Sequence, residues 1–206
     1  MSNELFTIGY SPHIHNSFLR VLKRHKITAV ADVRSSPYSQ FKPEFNKDRL
    51  AEFLNKHGIA YVFLGDLCGA RVDDPSCYVN GKVDYTRVSE NLKFKEGLQR
   101  IINGIKKFRI ALMCAEKDPI TCHRTILICR NLVPRDINIK HILSNGRIED
   151  HKDSEQRLLR IFGLNHPDLF RSEQQRLNDA YLRQGEKIAY ETAEPSSEYK
   201  DTECQK

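Results

Sequence analysis

Apolar residues fall into short runs along this chain, and the runs alternate with longer amphipathic stretches. Residues 5–8, 27–33, 60–64, 110–113 and 139–143 read as strands. The second of these is nearly all apolar apart from Asp32, as expected of a strand covered on both faces. Between them, Phe18, Leu19, Val21 and Leu22 form a helical stripe whose wet side carries Arg20, Lys23, Arg24 and Lys26. Residues 47–57 repeat the pattern with Leu50, Phe53 and Leu54 inward and Gly58 as a stop, and residues 90–107 give a third helix. This alternation predicts an α/β fold: a mostly parallel sheet with helices on both faces, a three-layer sandwich. Right-handed crossovers bring the carboxyl ends of such strands to one edge, where ligands bind. The loops at residues 9–11, 32–36, 65–71 and 114–124 therefore should face one another.

Beyond residue 164 the pattern changes. Residues 168–190 are polar, with Leu169, Phe170, Leu177, Ala180, Tyr181 and Ile188 loosely at helical spacing, and residues 191–206 hold almost no large aliphatic side chain. The expected organisation is an α/β domain over residues 1–164, a helical appendage over 165–190 and a disordered acidic tail over 191–206. No apolar run approaches membrane-spanning length and the N-terminus lacks a signal-peptide pattern, so a cytoplasmic chain with no membrane partner is expected. The six cysteines show no secreted-scaffold spacing and read as reduced thiols. Formal net charge is +6, and residues 186–206 carry six acids against three lysines, which leaves +9 on the rest. Such a surface suits a nucleotide or nucleic acid as partner. Oligomeric state is not encoded in these patterns.

The densest candidate chemistry follows the strand at residues 110–113, where the chain reads Cys114-Ala115-Glu116-Lys117-Asp118-Pro119-Ile120-Thr121-Cys122-His123-Arg124. Asp118-Pro119 fits a helix N-cap followed by proline, with Thr121 as a competing cap. Either start places Cys122, His123 and Arg124 in the first turns of a helix, where the dipole favours a thiolate or an anion. A loop with two acids, a proline and no glycine argues against a phosphate cradle of backbone N–H groups, so anion holding falls to Arg124 and Arg34. A zinc site using Cys114, Cys122 and His123, with Cys68 or Cys77, meets a geometric objection. Neighbours on a helix diverge by about 100°, unless the helix begins later. No metal ligand and no cofactor is therefore assigned. Asp32, an acid inside an apolar strand, needs a buried partner or a catalytic task.

The chain resembles the domain of unknown function 488 family through Thr7-Ile8-Gly9-Tyr10-Ser11, Asp32-Val33-Arg34-Ser35-Ser36-Pro37, Pro43-Glu44-Phe45-Asn46, Cys114-Ala115-Glu116-Lys117-Asp118-Pro119 and Cys122-His123-Arg124. The match spans roughly residues 5–150 in the family's order and departs from it at Cys68, beside Gly65 and Gly69, where the family carries a glycine-rich turn. The resemblance implies the α/β fold and a shared polar site. On the residues, the leading expectation is an enzyme acting on a phosphate-bearing nucleotide or nucleic-acid substituent. Cys122, His123, Glu116 and Asp32 would be its catalytic groups. Tyr10, Ser11, Arg34, Ser35, Ser36, Lys42, Asn46 and Arg124 would bind the substrate. A non-catalytic nucleic-acid module and a thiol redox or sulfur-handling protein are the alternatives.

Overall fold

The computed structural model describes residues 3–167 and 169–192. Its sheet is built from β1 (Glu4–Gly9), β2 (Ala29–Asp32), β3 (Ala60–Phe63), β6 (Ile110–Cys114), β7 (Asn138–Ile142) and β8 (Ile148–Asp150); β4 (Tyr78–Val79) and β5 (Lys82–Val83) form a separate hairpin. The order is β3-β2-β6-β1-β7-β8, parallel throughout except for the antiparallel β7–β8 edge. The mostly parallel α/β architecture read from the sequence is thus present.

Period-two alternation sorts the strand side chains into two cores. Phe6, Ile8, Val30, Ala111 and Met113 pack with Phe18 and Leu22 of α1 (His15–Arg24) and with Leu50 and Leu54 of α2 (Lys47–Lys56). Leu5, Ala31, Leu112 and Cys114 face the other way. They meet Leu98 and Ile101 of α5 (Leu92–Ile105) and a helical segment that begins at Arg124. The long excursion of residues 65–86 holds the short helix α3 (Gly65–Cys68), the hairpin and the start of α4 (Tyr85–Glu90). Cys68 packs tightly under α5, since a Cβ on Gly97 would stand 2.4 Å from its sulfur. Burial pushes its thiol up to about 12, so it is a packing residue.

Besides α3, α4 and the hairpin, the sequence reading missed β8 and the helix α7 (His151–Ile161), whose buried side chains are His151, Ser154, Leu158 and Leu159. The appendage is the helix α8 (Glu173–Ile188). It buries Leu177, Ala180, Tyr181 and Gln184, against α7 and the segment after Cys122. Glu191 and Thr192, placed in the tail by the sequence, pair with Lys82 and Gly81 of the hairpin turn. Residues 193–206, the remainder of the expected disordered tail, lie outside the described residues, as do Cys204 and Asp168. Among the described residues no helix is long and apolar enough to cross a membrane.

The order of the strands contains a switch point. From β1 the chain crosses toward β2 on one side, and from β6 it crosses over β1 toward β7 on the other. Connections leaving the adjacent strands β1 and β6 in opposite directions open a crevice at their carboxyl ends.

Candidate functional site

The loop after β6 closes over that crevice. Gly9 permits it, because a Cβ there would stand 1.9 Å from the Glu116 carbonyl oxygen. The amides of Tyr10 and Ser11 donate to the carbonyls of Cys114 and Ala115 at 3.0 and 3.1 Å, which stitches the two strand ends together. Asp118 does cap a helix, accepting from the Ile120 amide, but that helix is the single 3-10 turn Pro119–Thr121. Cys122 then returns to extended backbone, with φ −132° and ψ 140°. Its carbonyl accepts from the amides of Thr125 and Ile126 at 3.0 and 3.1 Å, the first bonds of the next helix. That helix is π-helical over Arg124–Cys129, a wide turn frequent at functional sites. The sequence expectation of Cys122, His123 and Arg124 inside one helix capped by Asp118 is therefore corrected. The objection that Cys122 and His123 must diverge goes with it.

What the broken helix brings together is compact. The sulfurs of Cys114 and Cys122 and Nδ1 of His123 all lie within 4.8 Å of one another. His123 Nδ1 is 3.7 Å from the Cys114 sulfur and 3.9 Å from that of Cys122. Oε2 of Glu116 reaches both, 3.0 Å from Cys114 and 3.2 Å from Cys122. His123 Nε2 is 3.0 Å from the Val33 carbonyl. A carbonyl only accepts, so Nε2 carries a proton and Nδ1 faces the sulfurs. Cys114, Cys122 and His123 are buried, while Glu116 keeps part of its surface in solvent.

Arg124 lies beneath this group with no exposed surface. Its Nη1 donates to the Glu116 carbonyl at 2.7 Å and its Nε to Thr7 Oγ1 at 3.4 Å, yet Nη2 has no partner. The hydroxyl of Tyr85 is likewise buried and unpartnered. Burial, and after it the charges of Cys122, Cys114 and Glu116, hold that phenol above its ordinary range, which puts it within electrostatic reach of the cluster. Among the thiols the environment is asymmetric. A hydrogen bond with Cys122, then burial, pushes Cys114 well above the usual thiol value. Burial opposes ionisation of Cys122 as well, but its bond with Cys114, Arg124 and His123 together hold it well below that value. Burial acts against a charged His123, and Cys122 outweighs it. Burial raises Glu116, with Cys122 adding to the shift.

The remaining candidates lie on the α1–α2 side of the sheet. Asp32 receives the Arg34 amide at 3.1 Å, Arg34 Nε at 2.9 Å, Arg34 Nη2 at 2.6 Å and the Tyr61 hydroxyl at 2.7 Å. Arg34 also donates to the Phe45 carbonyl and stacks on Tyr10, whose ring in turn stacks on Phe45 at 4.6 Å. Asp32 and Arg34 thus form a buried ion pair, in which Arg34 Nη1, like Arg124 Nη2, is left without a hydrogen-bond partner. Tyr10 is buried within the same stack and offers no face to a base. Lys42 is spent on the carbonyls of Ser11 and His13, Asn46 accepts from the Ser39 amide, and Ser35 accepts from the Arg71 amide. Ser36 is exposed. The residues that sequence reasoning missed support the loop from outside. Arg157 of α7 forks onto Asp118 at 2.8 and 3.1 Å, and Gln184 of α8 donates to the Ile120 carbonyl at 2.8 Å. Tyr85 lay in the stretch read as an excursion and carried no local signal.

No curated protein and no solved structure matches this chain. The family model described as Domain of unknown function DUF488 matches residues 15–130, a span that includes Asp32, Arg34 and the whole of the 114–124 loop and stops before β7, α7 and α8. The chain belongs to the domain of unknown function DUF488 family.

Proposed function

We propose that the chain is an enzyme whose reaction centre is the cluster of Cys114, Glu116, Cys122, His123 and Arg124, and that its substrate brings an anionic oxygen, such as the phosphate of a nucleotide, to Arg124. The observation that carries this reading is the unpartnered Nη2 of a guanidinium with no exposed surface. A buried charged donor left without an acceptor costs about 1–3 kcal/mol or more. Arg34 and Arg176 also keep a buried unpartnered nitrogen, and Arg124 differs from them in acting electrostatically on Cys122, Cys114 and Glu116. The Tyr85 hydroxyl, buried and unpartnered, supplies a second donor, and Glu116 is the exposed member of the cluster. The +9 charge outside residues 186–206 would attract such a ligand. A cytoplasmic setting suits the centre because it keeps both thiols reduced.

Of the basic contacts expected of a nucleic-acid module, Lys42 is spent on the Ser11 and His13 carbonyls, while Arg34 is paired with Asp32 and keeps Nη1 unpartnered. Thiol redox chemistry has one observation in its favour, the approach of two sulfurs to within 4.8 Å. The test is turnover of a panel of nucleoside phosphates by the wild type and by C122S, R124K and Y85F, each checked for folding by near-UV circular dichroism. Turnover should fall by about 100-fold in C122S and R124K and by about tenfold in Y85F. Folded R124K that matches the wild type overturns the reading.

A further inference from the structure

The cluster holds more than an oxyanion site needs. Two cysteines, a histidine and a glutamate point at one spot, and among the described residues no other three such side chains converge. We propose that Cys114, Cys122 and His123 bind a zinc ion through their two sulfurs and Nδ1, with Glu116 as a displaceable fourth ligand. The proposal rests on the reading of this cluster as a reaction centre and specifies what its sulfurs do there.

Donor chemistry comes first. Mixed thiolate and imidazole sets suit zinc, whereas oxygen-only sets suit magnesium or calcium. Size agrees. With Zn–S of about 2.3 Å and Zn–N of about 2.0–2.1 Å, tetrahedral geometry separates sulfur from nitrogen by about 3.6 Å. The two sulfur–nitrogen distances are 3.7 and 3.9 Å, within a few tenths of an ångström of that edge, and the two sulfurs lie within 4.8 Å of each other. The glutamate contacts of 3.0 and 3.2 Å are shorter than a tetrahedral edge. Its Oε2 therefore sits in the space the ion would take, held there by the thiols.

The surroundings have the form of a metal site. A ligating histidine ordinarily gives its other N–H to a carbonyl or carboxylate, which fixes the ring, and His123 Nε2 does so to Val33 at 3.0 Å. Arg124 pins the backbone of Glu116, so the carboxylate can swing while its anchor stays put. Glu116 has solvent on one side, which gives it somewhere to go when water or substrate takes the fourth position. Three protein ligands with a displaceable carboxylate in the fourth position are the arrangement of a catalytic rather than a closed structural zinc. Metal binding would release the thiol protons to solvent.

The experiment uses the full chain without a histidine tag. Dialysed wild type should retain about one zinc per chain, and cobalt(II) substitution should give a sulfur-to-metal charge-transfer band with tetrahedral d–d absorption. C114S and C122S should lose that band, C68S and C129S should keep it, and E116Q should keep it while shifting the d–d envelope. Should the first two variants fail to fold, the wild type still answers: chelation must convert Cys114 and Cys122 from protected to alkylatable, as located by mass spectrometry. Substoichiometric metal together with a cobalt spectrum free of sulfur charge transfer overturns the proposal. Inorganic phosphate binding to the metal-free chain then judges the reaction centre separately. Sulfur-ligated cobalt whose spectrum ignores phosphate upholds the metal and counts against the reaction centre.

Discussion

Asp32 shows what a single residue disclosed and what it concealed. An acid in an apolar strand announces that it has a buried partner, and Arg34, two positions on, is the partner found. Whether such a pair is structural or catalytic depends on which side of the sheet it faces and on how many of its lone pairs are used. Neither is written in the local sequence. The carboxylate is fully buried and its acceptor sites are taken by Arg34 and Tyr61, so removing it strands a guanidinium in the core. D32A should therefore lose about 3–5 kcal/mol in urea denaturation, while Y61F, which deletes one hydrogen bond, should lose about 1 kcal/mol. Equal costs for the two would mean that Arg34 finds another acceptor. Cys114 is the opposite case. It reads as a small core residue at a strand end, and only the fold reveals that its sulfur touches Glu116 and lies beside His123.

Among the elements, the segment from Cys114 to the π-helical turn was legible in composition and misread in geometry. Asp118-Pro119 gave a true cap signal, but the pattern could not say that the helix would stop after one turn and restart at Arg124. α7 was the larger loss, and the way α8, the expected appendage, packs on it was not legible either. They carry a buried chain of polar groups that ends at the centre: Arg124 Nε to Thr7, Thr7 to His141 at 2.8 Å, His141 to His151 at 2.9 Å, His151 to Tyr181 at 3.0 Å, and Tyr181 to Glu155 at 3.0 Å. Arginine only donates and a carboxylate only accepts, so each group between them passes its proton toward Glu155, with both histidines neutral. Burial holds His141 well below its ordinary value and His151 at about 4. Both titrate near 6.5 when unfolded, so below that pH the unfolded chain binds more protons. The stability they contribute is complete above about pH 6.5 and is lost as pH falls toward 4, with His151 alone accounting for roughly 3 kcal/mol. Denaturation midpoints of wild type and H151Q between pH 7.5 and 4.5 check this. The slope should be shallower in H151Q, and identical slopes would exclude a neutral buried His151.

For the whole molecule, alternation of apolar runs and helical stripes was enough to recover the α/β class and the edge on which ligands bind, because buried parallel strands leave a strong signature. The edge strand β8, the hairpin and α7 left weaker ones, being short or largely polar on their outer sides. Most of the candidate centre was named from the loop after β6. Asp32, Arg34 and Tyr10, placed in the expected site by chain proximity to strand ends, pack with Phe45 on the α1–α2 side of the sheet. What unites the centre is distance in sequence: β1 supplies Gly9 and Thr7, α4 supplies Tyr85, and α7 and α8 brace the loop at Asp118 and Ile120. The most direct measurement is calorimetric titration of inorganic phosphate and of a nucleoside monophosphate into wild type and R124K. Saturable binding to the wild type that weakens at least about tenfold, or 1.4 kcal/mol, in R124K is the expected result. Equal affinity of the two proteins, or no binding to either, would contradict a reaction centre organised around Arg124.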